Sequence, residues 1–376
     1  MNEMLNGLEL TRKLIAFNTI NPPGRERPCA EYIGELLRRS GFAINYSEYD
    51  TDRTNLVARL PATAVTRKAL VFSGHIDTVP LGRAPWSVAP FEGEVHSGKL
   101  YGRGTSDMKS GVAASILAAL NLAKLSERKA DIVLVISAGE ENGCEGVLHL
   151  AKQPELLGDC GAMIVAEPTD NRPMVGHKGA LWLDLAFSGV TAHGSMPEQG
   201  DNAIYKACDG IQALRAFDFG MEAHPVMGGA TLNVGTMQAG MNINSVPDSA
   251  HVSVDIRTTV GQTNAGVRDQ LVKALGPQVK IGTLTDMDHV YTDPQDPWMQ
   301  KVFAVCEGLF GEAPKIETAA YFSDASVLKP AYGDPPTVIL GPGAMSMAHQ
   351  TDEYCEIDKI DACIEAFTAI GKDYLG

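Results

Sequence analysis

His75 and Asp77 stand two residues apart, just past the apolar run Leu70-Val71-Phe72 and the small-residue break Ser73-Gly74. An apolar run of that length reads as a buried parallel strand reaching its carboxyl end, where ligands collect in open α/β sheets. Alternate side chains of an extended chain share a face. The imidazole and the carboxylate therefore point the same way, as a metal ligand does with the group that orients it. A strand end capped by a surface His and Asp is the plainer reading of this stretch alone. The balance shifts because similar groups recur along the chain. Glu140 and Glu141 follow the apolar run 132–137, and Glu167 follows 162–166. Asp107 and His349 lie beside the glycine-rich turns 100–107 and 341–343. Adjacent carboxylates at buried strand ends repel each other and lose solvation. Asp77, Asp107, Glu140, Glu141 and Glu167 meeting His75 and His349 call for more positive charge than nearby side chains supply. A divalent cation is the economical answer. His and Asp/Glu donors without a thiolate suit Zn²⁺, and also Co²⁺ or Mn²⁺. The set suffices for two metals, ~3.5–4 Å apart, that share a hydroxide and polarise a carbonyl.

Bringing these groups together requires a sheet. Residues 42–50, 55–60, 69–74, 132–137, 162–166 and 337–340 read as strands, and 5–17, 28–39, 108–125, 298–310 and 358–374 as helices. Helix 108–125 is rich in small residues, as suits close packing on a sheet. From about residue 176 the texture changes. LWLDLAF (181–187) and HVSVDIR (251–257) alternate loosely, as half-exposed antiparallel strands do, with a helix near 202–217 and a strand near 231–237 between them. The expected architecture is α/β: a catalytic domain built on a mixed sheet from residues 1–175 and 288–376, with an inserted α+β domain at 176–287.

The chain has 376 residues, enough for about two domains at ~150 each. Its net charge of −15 disfavours nucleic acid and anionic membranes as partners. The seven cysteines form no CxxC and no export signal precedes them, so they read as free thiols in a reducing, cytoplasmic setting. No run reaches the roughly 18 apolar residues of a membrane span.

HIDTVP (75–80), YGRGTSDMKSG (101–111), AGEENG (138–143), AEPTD (166–170), AHGSMPEQG (192–200), NSVPDSAHVSVDIRTT (244–259), YFSDAS (321–326) and AHQTDE (348–353) occur in that order. Together they resemble the co-catalytic zinc aminoacylase/carboxypeptidase family, which includes acetylornithine deacetylase and succinyl-diaminopimelate desuccinylase. The likeness spans nearly the whole chain. It implies a zinc-peptidase catalytic domain and an insert that serves as lid and dimerisation domain, giving a homodimer. It also implies two Zn²⁺ per subunit. His75, Asp107 and Glu167 would hold one; Asp107 would bridge to a second completed by Glu141 and His349. Asp77 would orient His75, and Glu140 would be the general base. His193 would reach a partner subunit's site and steady the oxyanion. Arg257 matches the arginine that clamps a substrate carboxylate, with an ion pair to Asp255 as the alternative. Asn244 would contact substrate, with a turn-forming role before Pro247 as the alternative. Gly341 and Gly343 would offer backbone N–H groups, with a plain loop as the alternative, and Ser323 and Tyr321 would line the pocket.

The resemblance implies metal-dependent hydrolysis of the amide of an N-acyl amino acid. His177-Lys178-Gly179 stands where a desuccinylase would place two arginines before a glycine, which moves the reading toward acetylornithine deacetylase. A dipeptidase or carboxypeptidase on the same metals is the alternative within hydrolases. A non-catalytic binding protein is disfavoured, because Glu140 meets no obvious structural need.

Overall fold

Four strands in which every residue is buried, Leu70–His75, Ile132–Ser137, Ala162–Val165 and Thr337–Ile339, form the parallel heart of a six-stranded mixed sheet. Their near-continuous Val, Ile and Leu content is what a sheet covered on both faces demands. The computed structural model describes residues 5–376, so the first four positions of the expected catalytic domain lie outside the described residues. Along the sheet the order is Ala43–Asp50, Arg53–Leu60, Ile132–Ser137, Leu70–His75, Ala162–Val165, Thr337–Ile339. The first two strands run antiparallel and the rest are parallel. His75 pairs with Ser137, and Ser73 with Val165. Three parallel strands thus end at one level, and the residues that follow them emerge along one edge.

Helix Gly7–Ile15 starts at Asn6, whose side chain accepts the Glu9 N–H at 2.8 Å. The closing helix Ile357–Leu375 buries Ile360, Cys363, Phe367 and Ile370, the spacing of one helical face. The small-residue helix begins at Ser110, later than the spacing predicts, and runs to Ala123. Residues Thr105–Lys109 form a separate irregular turn, in which Asp107 and Met108 have non-helical backbone angles and are joined by a cis peptide bond.

The chain divides into two compact units. One takes the described residues up to Gly176 with Tyr291–Ala319 and Ser323–Gly376; the other takes His177–Val290 with Ala320–Phe322. The second unit is an antiparallel sheet ordered Thr231–Ala239, Ser249–Arg257, Ala180–Ser188, Val279–Met287. Its alternate residues pack with helices Ala203–Arg215 and Asn264–Leu275 around Leu183, Leu185, Val252 and Val254. The short segment Ala320–Phe322 joins it because the Phe322 ring meets Trp182 edge-on, centroids 6.0 Å apart. Among the described residues no helix is long and apolar enough to cross a membrane.

Candidate active site

His75 is the last residue of its strand, and its ring is wedged between carboxylates. Nδ1 lies 3.0 Å from the Asp77 carbonyl oxygen and 3.5 Å from Asp77 Oδ1. Nε2 lies 3.2 Å from Asp107 Oδ1 and 4.0 Å from Glu167 Oε1. The second oxygen of Asp107 faces His349, whose Nε2 is 3.4 Å away and also 3.1 Å from Glu141 Oε2. Glu167, His75, Asp107, His349 and Glu141 therefore form an unbroken series of donors, with one Asp107 oxygen turned to each imidazole. One donor atom each from His75, Asp107 and Glu141 fall within 4.8 Å of one another. The His349 side chain is 54% exposed while that of Asp107 is 13% exposed, so this cluster opens on the His349 side.

Asp77 does more than face the imidazole. Its Oδ1 accepts the Glu140 N–H at 3.1 Å, and its Oδ2 accepts the Glu141 N–H at 3.2 Å and Asn21 Nδ2 at 2.9 Å. With the two backbones pinned, the side chains diverge: Glu141 goes to His349, and Glu140 Oε1 sits 3.9 Å from Cys144 Sγ.

Burial sets the electrostatics. Desolvation pushes the Glu140 and Glu167 carboxyls well above the usual range, although nearby His75 opposes it in both. Burial, then the charge of Asp107, raises Glu141 to about 7. Asp107 is also desolvated, but its bonds to His349 and His75 outweigh that and hold it below the ordinary carboxylate range. Burial works against a charged His75, yet its bonds to Asp107 and Asp77 raise it well above the usual imidazole value. Bonds to Asp107 and Glu141 push His349 up to about 10. The cluster thus draws protons onto its imidazoles to offset its carboxylates. Glu141 Oε1 is buried without a hydrogen-bond partner among the described residues. An orphaned carboxylate oxygen among His, Asp and Glu donors is the environment a divalent cation fits.

Other residues singled out by sequence have varied surroundings. Gly341 does not have a free N–H for substrate, which corrects that expectation: it donates to Thr169 Oγ1 at 3.1 Å. Its lack of a side chain serves packing, since a Cβ there would lie 2.4 Å from the carbonyl oxygens of Ala166 and Glu167. A Cβ added at Gly343 would likewise overlap the Ser106 carbonyl oxygen. Ser323 is buried, and its Oγ accepts the Ala325 N–H at 3.3 Å at the start of helix Ala325–Ala331. That bond ties the side chain to the segment just before the helix. Tyr321 belongs to the second unit. So do Arg257, Asn244 and His193. Arg257 takes up the ion-pair alternative, its Nε 2.9 Å and Nη2 3.2 Å from the two Asp255 oxygens. Asn244 is exposed and its carbonyl accepts the Gly194 N–H at 2.8 Å, which fixes it beside the exposed His193.

Three participants were not picked out by sequence: Asn21, Asp324 and Glu353. Asn21 supports Asp77, and Asn142 Nδ2 supports Asn21 at 2.8 Å. Asp324 is buried and bonded to Ser137 Oγ; burial raises its carboxyl to about 6. Glu353 accepts N–H groups from the Asp107 turn. The last two do fall inside YFSDAS and AHQTDE, which is the signal that could have found them.

The model of peptidase family M20/M25/M40 matches residues 71–373. The chain is 30% identical over 373 residues to acetylornithine deacetylase of Proteus mirabilis, covering 94% of this chain and 93% of the relative. It is 27% identical over 400 residues to a probable succinyl-diaminopimelate desuccinylase of Staphylococcus epidermidis, covering 98% and 97%. Its fold is similar to that of an M20 family metallo-carboxypeptidase from Sulfolobus solfataricus, with a TM-score of 0.80 at 19% identity over 99% of each chain.

Proposed function

The chain belongs to peptidase family M20/M25/M40, and from that membership we propose that it hydrolyses the amide of an N-acyl amino acid, releasing a carboxylate and a free amine. The observation that carries this reading is the series Glu167, His75, Asp107, His349 and Glu141, with Glu140 held beside it by Asp77. His75, Asp107 and Glu167 would hold one divalent cation, and Asp107, Glu141 and His349 a second. The donor set favours Zn²⁺, with Co²⁺ or Mn²⁺ as substitutes. When bound, such ions polarise the scissile carbonyl and make water a stronger nucleophile at neutral pH.

The rest of the chemistry falls to the chain. Glu140 takes a proton from the attacking water as the C–O bond forms, and returns it to the amide nitrogen as the C–N bond breaks. Its burial suits the task, because a desolvated carboxylate is more basic and a general base works best near the operating pH. Asp77 holds the Glu140 backbone and the His75 ring in register, so base and donor keep a constant separation. His193 would donate to the developing oxyanion. Its Nδ1 accepts the Ser195 N–H at 3.2 Å and lies 2.8 Å from Ser195 Oγ, which leaves Nε2 as the nitrogen for that donation. In this reading His193 reaches the site of a partner subunit, in a homodimer formed through the inserted domain. All seven cysteines are free, consistent with a cytoplasmic setting.

Within the family, the acetylornithine deacetylase-like reading is preferred because His177-Lys178-Gly179 lacks the paired arginines expected of a desuccinylase. The test is a panel of N-acetyl-ornithine, N-succinyl-diaminopimelate and small dipeptides, assayed with Zn²⁺ or Co²⁺. Fastest turnover of N-acetyl-ornithine is the expected result. Faster dipeptide cleavage would replace the deacylase reading with a peptidase one, and no hydrolysis by metal-loaded protein would end both.

A further inference from the structure

The turn that delivers Asp107 has no regular helix or long strand to hold it, yet Asp107 must present one oxygen to each of two imidazoles. We infer that Glu353 is a positioning residue for the candidate metal site, fixing the 102–107 turn so that Asp107 faces both His75 and His349. The inference rests on reading those three residues as cation donors.

Glu353 is fully buried. Its Oε2 accepts Arg103 Nη1 at 2.7 Å and the Gly104 N–H at 2.9 Å. Its Oε1 accepts the Ser106 N–H at 2.8 Å and the Asp107 N–H at 3.0 Å. Its backbone oxygen takes the Gly102 N–H at 2.9 Å, and Ser106 Oγ donates to the Tyr354 carbonyl at 2.7 Å. These bonds all join one short turn to residues 353–354. His349 lies only four positions upstream. The same segment therefore carries one candidate donor and the group that fixes another, and the antiparallel pair Tyr354–Tyr101 ties it to the start of the turn.

The donor pattern requires a carboxylate. Each oxygen of Glu353 accepts two hydrogen bonds, and a glutamine has only one acceptor atom. Whichever way its amide turns, its NH₂ group would oppose two buried N–H donors. Arg103 supplies the balancing charge, and is itself fixed by donating Nη2 to the Pro80 carbonyl at 3.2 Å and by lying over the Trp86 ring.

The test uses full-length protein stripped by a chelator and titrated with Co²⁺ alone, following visible absorption of the bound ion, with thermal unfolding of each metal-free variant alongside. Glu353→Gln should bind Co²⁺ roughly 10–100-fold more weakly than wild type, the usual effect of losing a group that orients a metal ligand. Arg103→Lys keeps a positive charge and leaves the backbone bonds to Glu353 intact; it should lower the unfolding midpoint yet stay within about threefold of wild-type affinity. Should Glu353→Gln fail to fold, Glu353→Asp, which keeps the charge but falls one methylene short of the turn, should weaken binding in the same direction. Wild-type affinity in the Glu353 variants would overturn the inference, and so would an equal loss in Arg103→Lys. A wild-type chain that takes up no Co²⁺ would instead remove the functional reading on which the inference rests.

Discussion

The carboxylate of Asp77 accepts the backbone N–H of Glu140 at 3.1 Å. Because the same carboxylate also faces His75 and accepts the Glu141 N–H, one buried side chain sets the distance between a proposed base and two proposed donors. Asp77→Asn keeps the shape but places an NH₂ group against an N–H donor. It should weaken metal binding by roughly 10–100-fold and lower kcat as well. Metal titration of the stripped protein and steady-state kinetics check this together; unchanged affinity with unchanged kcat would leave Asp77 without a positioning role.

Glu140→Gln removes the proton acceptor while leaving the backbone bond to Asp77 in place. Turnover should fall by roughly 10²–10⁴-fold, with KM and bound metal close to wild type. Metal analysis and kinetics on the same preparation decide it, and activity near wild type would reassign the base.

The proton on His349 gives a pH prediction. With its ring pushed up to about 10, the metal-free protein holds that proton throughout the neutral range. A cation needs the bare nitrogen, so binding releases the proton, and lowering the pH strengthens the competitor. Affinity should therefore fall as pH falls, by about tenfold per pH unit for each proton displaced. Calorimetry at neutral pH in two buffers of different ionisation enthalpy reads the release directly; identical heats in both would contradict it.

Gly341→Ala tests whether this glycine serves close packing. A Cβ at 2.4 Å from the carbonyl oxygens of Ala166 and Glu167 forces the backbones apart at the very residue that follows the strand Ala162–Val165 and the one after it. We expect a loss of about 1–3 kcal/mol in unfolding free energy from such overpacking. Weaker metal binding should accompany it, because Glu167 shifts. Denaturant unfolding at wild-type midpoint would show that the loop simply gives way.

His193→Ala should lower kcat by roughly 10²–10³-fold, as loss of an oxyanion donor does elsewhere. If the ring acts across subunits, mixed dimers with Glu140→Ala should regain activity, since one site in each mixed pair keeps both groups. Inactive, verified mixed dimers would count against action across subunits, and a kcat near wild type in His193→Ala would place the ring outside the reaction.

The strands at the heart of the sheet were legible because burial on both faces leaves an uninterrupted run such as Ile132–Ser137. The polar residues that cluster with His75 were legible for the same reason: each follows such a run or a glycine-rich turn, where polarity is conspicuous. Glu353 and Asn21 were not, because what distinguishes them is a set of distant partners. A lone acid near the end of AHQTDE looks like surface until the turn at 102–107 folds over it. Arg257 illustrates the opposite limit. Its likeness points to a substrate clamp and its neighbour Asp255, two residues away on the same face of the strand, to an ion pair; the pair is present, and sequence alone does not choose between the two. The start of the helix at Ser110 was also hidden, since Thr105–Lys109 has helix-forming neighbours but a backbone bent around Asp107.

The proposed donors come from positions 75, 107, 141, 167 and 349, and the edge strand Thr337–Ile339 lies shortly before the last of them. A ribosome therefore releases four of the five well before the fifth. Throughout that interval the emerging polypeptide carries three acids against a single imidazole, with the sheet still lacking its final edge. The proposed donor set is completed only when position 349 has emerged.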